Sequence, residues 1–288
     1  MSAPLEGRVF VVTGVSSGIG RSTAIEAARA GMDLVITGRR ADRLAEAAKV
    51  IESLGRRVVS VVGDVTDEGF TERLLDEADR AFGRFDAVFA NAGYGAERRV
   101  LDFSETEFRR MFEVNFFASA HLIRDAARRL LAARRPGHLL MCSSCVARFT
   151  LPGYGPYSAT KAAQAMLCRS MRYELKEHGI EVSSVHPVTT TTEFFEVAAD
   201  TKRTGRPSVA EHAPSYFVQP PERVARAVVR CLVRPRAEVW TSFSARLGAA
   251  IFTAFPSIAD LFLARHLRYI PACAPPDESS KSRTSPQS

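Results

Sequence analysis

The chain has 288 residues, 46% hydrophobic and 25% charged, which is enough for a sizeable core and excludes the disordered and fibrous classes. Its net charge is +7, but the arginines are scattered over many expected helix faces (Arg21, Arg43, Arg80, Arg128, Arg172, Arg226) and form no run, so a solvated surface is expected and nucleic acid is not an expected partner. Five cysteines are an odd number, "MSAPLEGRVFVV" lacks a signal-peptide core, and no apolar run reaches the ~18 residues that span a bilayer, so a reducing, cytoplasmic setting is expected.

Short β-branched runs alternate with helical patterns, which predicts an α/β fold with a parallel sheet, right-handed crossovers and helices on both faces. The first strand is expected at Arg8 to Val12, followed by "TGVSSGIG", Thr13 to Gly20, and a helix. Gly14, Gly18 and Gly20 permit a tight turn and close approach of backbone to a pyrophosphate, while the helix starting near Ile19 offers free amides and the positive end of its dipole. A glycine-rich loop alone is weak evidence; its place between a strand and a helix in an alternating chain gives it weight. The second strand, Asp33 to Thr37, leads into Gly38, Arg39 and Arg40. An acidic side chain at this place would take the ribose hydroxyls of NAD, whereas the planar fork of arginine suits a phosphate, so NADP(H) is favoured. The competing reading is that two arginines merely begin a helix.

Further strands are expected at Arg57 to Val62, Asp86 to Ala90, His138 to Ser143 and Glu181 to Val185. The fifth ends on Ser143 and Ser144, at the carboxyl edge where such sheets bind ligands. In "YSATK", on a helix, Tyr157 and Lys161 stand four apart on one face. A phenol titrates near pH 10, and a neighbouring ammonium is expected to pull that value down. Tyr157 would then pass a proton to or from a carbonyl oxygen, and Lys161, with three rotatable donors, would also reach a cofactor ribose. The bland alternative is a Tyr and a Lys on a solvated helix face.

Residues 188–220 form a polar, Thr- and Pro-containing segment that reads as a substrate lid. A helix is expected at Pro221 to Val233, a last strand at Ala237 to Ser242, and two apolar helical stretches, Ile251 to Phe255 and Ile258 to Leu267, within an extension over 243–268. One catalytic domain would then occupy 1–270, and 271–288 reads as a disordered tail.

Taken in order, these motifs resemble the short-chain dehydrogenase/reductase family: "TGxxxGIG" at Thr13 to Gly20, "NAG" at Asn91, Ala92 and Gly93, Asn115 in "FEVNFFASA", Ser144 thirteen positions before the tyrosine, and Tyr157-x-x-x-Lys161. The likeness runs from Thr13 to about Thr192. It implies a single Rossmann-type domain with the cofactor over the carboxyl ends of the strands. The cofactor would be held by Gly14, Ser16, Ser17, Gly18, Ile19 and Gly20, by Arg39 and Arg40, by Asp64 and Val65 near the adenine, by Asn91, Ala92 and Gly93, by Tyr157 and Lys161, and by Pro187 and Thr192. The implied catalytic set is Asn115, Ser144, Tyr157 and Lys161, with Ser144 orienting the substrate oxygen and Asn115 holding a water on a proton path toward Lys161. The implied reaction moves hydride between NADP(H) and a small-molecule carbonyl or secondary alcohol, in a homodimer or homotetramer.

The family usually has Pro-Gly after the sixth strand, and this chain has Pro187-Val188. Valine does not adopt positive φ cheaply and puts a side chain where the nicotinamide carboxamide is received, so a non-catalytic NADP(H)-binding sensor or scaffold stays open. So does an isomerase or dehydratase on the same fold. Cys142 and Cys145 make a C-x-x-C with no second pair at zinc spacing; they read as structural, and no metal is expected. Phe149, Tyr154, Phe194 and Phe195 fall in loops that would frame an apolar or lipid-like substrate. The apolar C-terminal helices are expected to pack over the substrate cleft or in a dimer in preference to a membrane.

Overall fold

The computed structural model describes residues 5–190 and 218–266. Strand β1 (Val9–Thr13) is buried along its whole length. Phe10 and Val12 join the core on one side of the sheet and Val9 and Val11 the core on the other, as the two-residue period of a strand dictates. Strands β2 (Asp33–Gly38), β3 (Val58–Val62), β4 (Ala87–Ala90), β5 (Gly137–Cys142), β6 (Ile180–His186) and β7 (Glu238–Trp240) complete a parallel sheet in the order β3-β2-β1-β4-β5-β6-β7. Each expected strand is found to within two residues at either end.

The crossovers are α1 (Gly18–Arg29), α2 (Ala41–Ser53), α3 (Phe70–Phe82), α4 (Glu105–Phe112), α5 (Ala118–Ala132), α6 (Gly155–Leu175) and α7 (Pro221–Val233). Helices α1, α2 and α7 bury Ala24, Ala27, Leu44, Ile51, Val224 and Val228 against Phe10, Val12, Leu34 and Ile36. On the opposite face α3, α5 and α6 bury Leu74, Leu75, Ile123, Ala126, Cys168 and Met171 against Val9, Val11 and Val35. Each large side chain fully withdrawn from water in these layers contributes roughly 1.5–3 kcal/mol before entropy is charged against it. The strand order reverses between β1 and β4, which opens a crevice at the carboxyl ends of the sheet.

Two local features shape that crevice. Ser104 caps α4, accepting from the Glu107 amide while the Glu107 carboxylate accepts from the Ser104 backbone. Between α4 and α5 the chain makes a π turn, Glu113–Phe117, with Asn115 fully buried at its middle. The extra residue of such a turn re-aims side chains that a regular helix would set elsewhere.

Of the expected lid, 191–217 lies outside the described residues, and so do Thr192, Phe194, Phe195 and the tail 271–288. The base of the segment is pinned, since Thr190 bridges Gln219 and Gln219 Nε2 donates to Thr241 Oγ1 at 2.9 Å. The C-terminal stretch forms α8 (Phe243–Ala254) and α9 (Pro256–His266), bent by 115° at Phe255–Pro256 because proline cannot continue a helix from within. Helix α8 buries Ala245 and Ala249, while Phe243, Phe255, Leu261 and Phe262 stay exposed. Among the described residues no single helix is long and apolar enough to cross a membrane; the bent α8–α9 pair reaches that composition only when joined.

Candidate active site

The crevice holds a cavity of about 650 Å³ running from the glycine loop to the start of α6. Gly14 stands at φ +75°, in the left-handed region, and a Cβ there would press on Asn91 Nδ2 at 2.9 Å and Ala92 Cα at 3.0 Å. Gly20 lies beneath the loop, where a Cβ would collide with the Gly14 carbonyl. Thr13 Oγ1 accepts from the amides of Asn91 and Ala92, both at 2.9 Å, and Asn91 Nδ2 donates to the Thr13 carbonyl at 3.0 Å, so the ends of β1 and β4 are tied together. The amides that open α1 have no side-chain cap from Ser17, and Ser16 Oγ is buried without a hydrogen-bond partner among the described residues. Uncapped amides, an orphaned hydroxyl and glycines pressed against backbone fit a bound phosphate group.

At the outer end, Gly38 closes on the loop so tightly that a Cβ would strike Ser16 Oγ. Arg39, Arg40, Asp64 and Val65 line the same end, and Arg40 Nη2 donates to the Ser16 carbonyl at 3.4 Å. Sequence reasoning missed Arg110, which comes from α4 and donates to Asp64 Oδ2 at 2.8 Å and to Thr66 Oγ1 at 2.6 Å. Burial works to raise the Asp64 carboxyl, but the Thr66 amide and hydroxyl, Arg110 and Arg39 overcome it and hold it below its ordinary value.

At the inner end, Ser144 and Tyr157 line the cavity together, and the serine hydroxyl works against the effect of burial on the Tyr157 phenol. Ser143 also lines the cavity, but its hydroxyl donates to the Lys161 carbonyl at 2.8 Å, so it serves the helix. Lys161 is 4% exposed, and its ammonium donates to the Cys142 carbonyl at 2.7 Å and to Gln164 Oε1 at 3.1 Å, with Nζ 5.5 Å from the Tyr157 ring centroid. The expected lowering of the phenol is not found. Burial pushes Tyr157 up, the neighbouring Cys142 adds to that, and the Ser144 hydroxyl offsets only part; burial also pushes Lys161 down. Desolvation acts against both charged forms and is the largest influence on each.

His186, fully buried, supports Ser144 from behind. Its ring stacks on Trp240 at 4.5 Å and 7°, Nδ1 lies 2.9 Å from the Ser144 carbonyl and Nε2 2.9 Å from Ser184 Oγ. Burial drives its pKa to about 4, so the ring is neutral: Nδ1 donates to the carbonyl and Nε2 accepts the hydroxyl.

Asn115 does not reach the cavity. Its Oδ1 accepts from the Tyr94 amide at 2.9 Å, its Nδ2 donates to the Tyr94 carbonyl at 2.8 Å and to Thr160 Oγ1 at 3.2 Å, and its own carbonyl accepts from Gln164 Nε2 at 2.6 Å. The place expected for a water on Asn115 is met by a glutamine amide. Pro187 lines the cavity and its carbonyl accepts from the Cys145 amide at 2.9 Å. Val188 is buried at 7% and its φ is outside the left-handed region, so the valine costs no backbone strain. Cys142 and Cys145 are free thiols whose pKa is raised by burial, Cys145 to about 11. Tyr154 lines the cavity with Tyr94, Val146 and Leu151, whereas Phe149 turns aside to meet Phe252 of α8 edge-on at 5.6 Å.

Residues 8–203 match the family model described as short chain dehydrogenase. The chain is 34% identical over 191 residues to L-rhamnose 1-dehydrogenase (NAD(P)(+)) of a Sphingomonas species, covering 66% of this chain and 75% of that one. It is 32% identical over 235 residues to glycine betaine reductase ATRR of Emericella nidulans, covering 81% of this chain but only 18% of that protein. A solved short chain dehydrogenase/reductase from Burkholderia phymatum, in complex with NAD, superposes with a TM-score of 0.78 at 24% identity, over 88% of this chain and 96% of that one, which is a likeness of fold.

Proposed function

This chain belongs to the short-chain dehydrogenase family, and we propose that it is an NADP(H)-dependent oxidoreductase acting on a small-molecule carbonyl or secondary alcohol. The observation that carries this reading is the Ser144–Tyr157 hydroxyl pair above the buried Lys161, at the inner end of a cavity whose outer end is a phosphate cradle. A nicotinamide, when bound, supplies or accepts the hydride.

The residues of the chain do the rest. Ser144 donates to the substrate oxygen and stabilises the charge that develops there. Tyr157, kept protonated by burial, gives its proton to that oxygen when a carbonyl is reduced and recovers it in the opposite direction. Lys161 supplies a fixed positive charge one helical turn away, which favours the transient phenolate. Gly14, Ser16 and the opening amides of α1 would hold the pyrophosphate, Asn91 to Gly93 and Pro187 would flank the nicotinamide half, and Thr192 belongs to the same expected set.

The preference for NADP(H) rests on Arg39 and Arg40 beside Gly38, where no acidic side chain fits without moving Ser16. The rhamnose dehydrogenase is named for either nucleotide, and the Burkholderia protein holds NAD. Tyr94, Val146, Leu151 and Tyr154 favour an apolar or lipid-like substrate. The reading includes two or four copies in a cytoplasmic setting, and light scattering on the purified protein tests the copy number.

Titration with NADPH and NADH, followed by a carbonyl panel on wild type and Tyr157→Phe, tests the proposal. Tighter NADPH binding, with oxidation by wild type and loss of at least ~100-fold in the variant, is expected. Bound nucleotide with both proteins equally inert would refute the catalytic reading and carry the sensor or scaffold instead.

A further inference from the structure

We propose that Gln164 is a positioning residue for Lys161: its side-chain amide spans the gap between the Asn115 carbonyl and the Lys161 ammonium and fixes that charge beneath Tyr157. Gln164 lies on α6 three residues after Lys161 and is fully buried. Its Oε1 accepts from Lys161 Nζ at 3.1 Å, and its Nε2 donates to the Asn115 carbonyl at 2.6 Å and to Ser119 Oγ at 3.2 Å. All of its donors and its acceptor are therefore engaged. A buried amide is costly unless it is bonded, and a helix position facing the core ordinarily carries an apolar side chain. The glutamine is justified here by what it touches.

Lys161 needs such a partner. Among the described residues, the titratable groups that face it are the Cys142 thiol at the end of β5 and the Tyr157 phenol on its own helix; the π turn and the loop after β4 contribute Asn115 and Gly93, which are uncharged. The ammonium is thus held by two neutral oxygens, the Cys142 carbonyl and Gln164 Oε1. Removing one leaves an N–H of a buried cation without an acceptor and favours the neutral amine. An amide fixes position but passes no proton, so in this chain Asn115 and Lys161 are joined by a strut. The consequence for catalysis rests on the oxidoreductase reading; the effect on Lys161 does not.

Five lysines in the chain make the test direct. The full-length protein, labelled with [13Cε]lysine, is titrated by NMR as wild type, Gln164→Leu and Gln164→Glu. The Lys161 midpoint should fall by about one pH unit or more in the Leu variant and rise by a similar amount in the Glu variant, with the other lysine signals unmoved. Midpoints agreeing within about 0.3 unit among the folded proteins overturn the proposal, and if one variant does not fold the other decides it, because the two are expected to move in opposite directions. Where wild type turns over a carbonyl substrate, Gln164→Leu should lower kcat about tenfold at unchanged KM and shift the alkaline limb of kcat to lower pH. An unmoved limb also overturns the proposal. NMR shifts as expected with no turnover by any of the proteins would support the role of Gln164 while refuting the oxidoreductase reading.

Discussion

Replacing Arg40 by alanine should weaken NADPH about fivefold and leave NADH within about twofold. The magnitude follows from exposure. A hydrogen bond to a charged group contributes ~1.5–3 kcal/mol where water is partly excluded, and an exposed ion pair only ~0–1 kcal/mol. Arg39, whose side chain is 77% exposed, belongs to the second class, so Arg39→Ala should cost about twofold to fivefold. Arg40 is exposed as well, but its Nη2 lies 3.4 Å from the Ser16 carbonyl at the edge of the cradle, so it belongs at the upper end of the second class, at ~1 kcal/mol. Arg110 is the internal control. It is committed to Asp64 and Thr66, so Arg110→Ala should disturb the adenine end and weaken both nucleotides in parallel. The assay is a fluorescence titration of each variant with NADPH and NADH at low and high salt. Salt should erode the NADPH advantage of wild type more than that of the Arg39→Ala/Arg40→Ala double variant. Equal losses for both nucleotides in Arg40→Ala, or tighter NADH than NADPH in wild type, would refute the reasoning.

Asn115→Ala removes three side-chain hydrogen bonds that clasp the Tyr94 backbone and Thr160, at about 3 kcal/mol in total, and calorimetry should show Tm lower by about 6–12 °C. Val188→Gly relieves no strain and empties a buried site, so it should lower Tm by a few degrees without tightening nucleotide binding; improved turnover would contradict the backbone assignment at that residue. Burial drives His138 to about 3 and His186 to about 4, so both stay neutral in the folded chain while the unfolded chain takes up protons below about pH 6.5. Their contribution is therefore complete above that pH and is lost as pH falls toward 4, at about 1.4 kcal/mol per unit for each ring. His138→Gln should make the fall in stability between pH 6 and pH 5 measurably shallower in denaturant melts, and an unchanged slope would show that His138 is not the titrating group.

What could be read from the chain divides by distance along it. The strands, the glycine loop and Tyr157-x-x-x-Lys161 are local patterns, and their periods of two or about four residues carry the geometry directly. Arg110 was not legible, because it meets Asp64 across 46 residues and only the packing of α4 brings them together. The π turn at Asn115 has no signature within its own five residues, so a regular helix was the natural expectation. The direction of the Tyr157 shift depends on how much water burial removes, and a four-residue spacing says nothing about that.

Gln164 is the instructive case, since it stands in the same helix as Lys161 and one turn away. Its position was within reach of the spacing argument that picked out Tyr157. Its partner Asn115 was not, because the carbonyl it binds lies 49 residues earlier. A motif specifies which side chains share a face, and the fold decides what faces them. The chemistry of Tyr157 is therefore set by residues outside the motif that announces it: Cys142 and Gln164 anchor the charge, and His186 holds the Ser144 backbone in place.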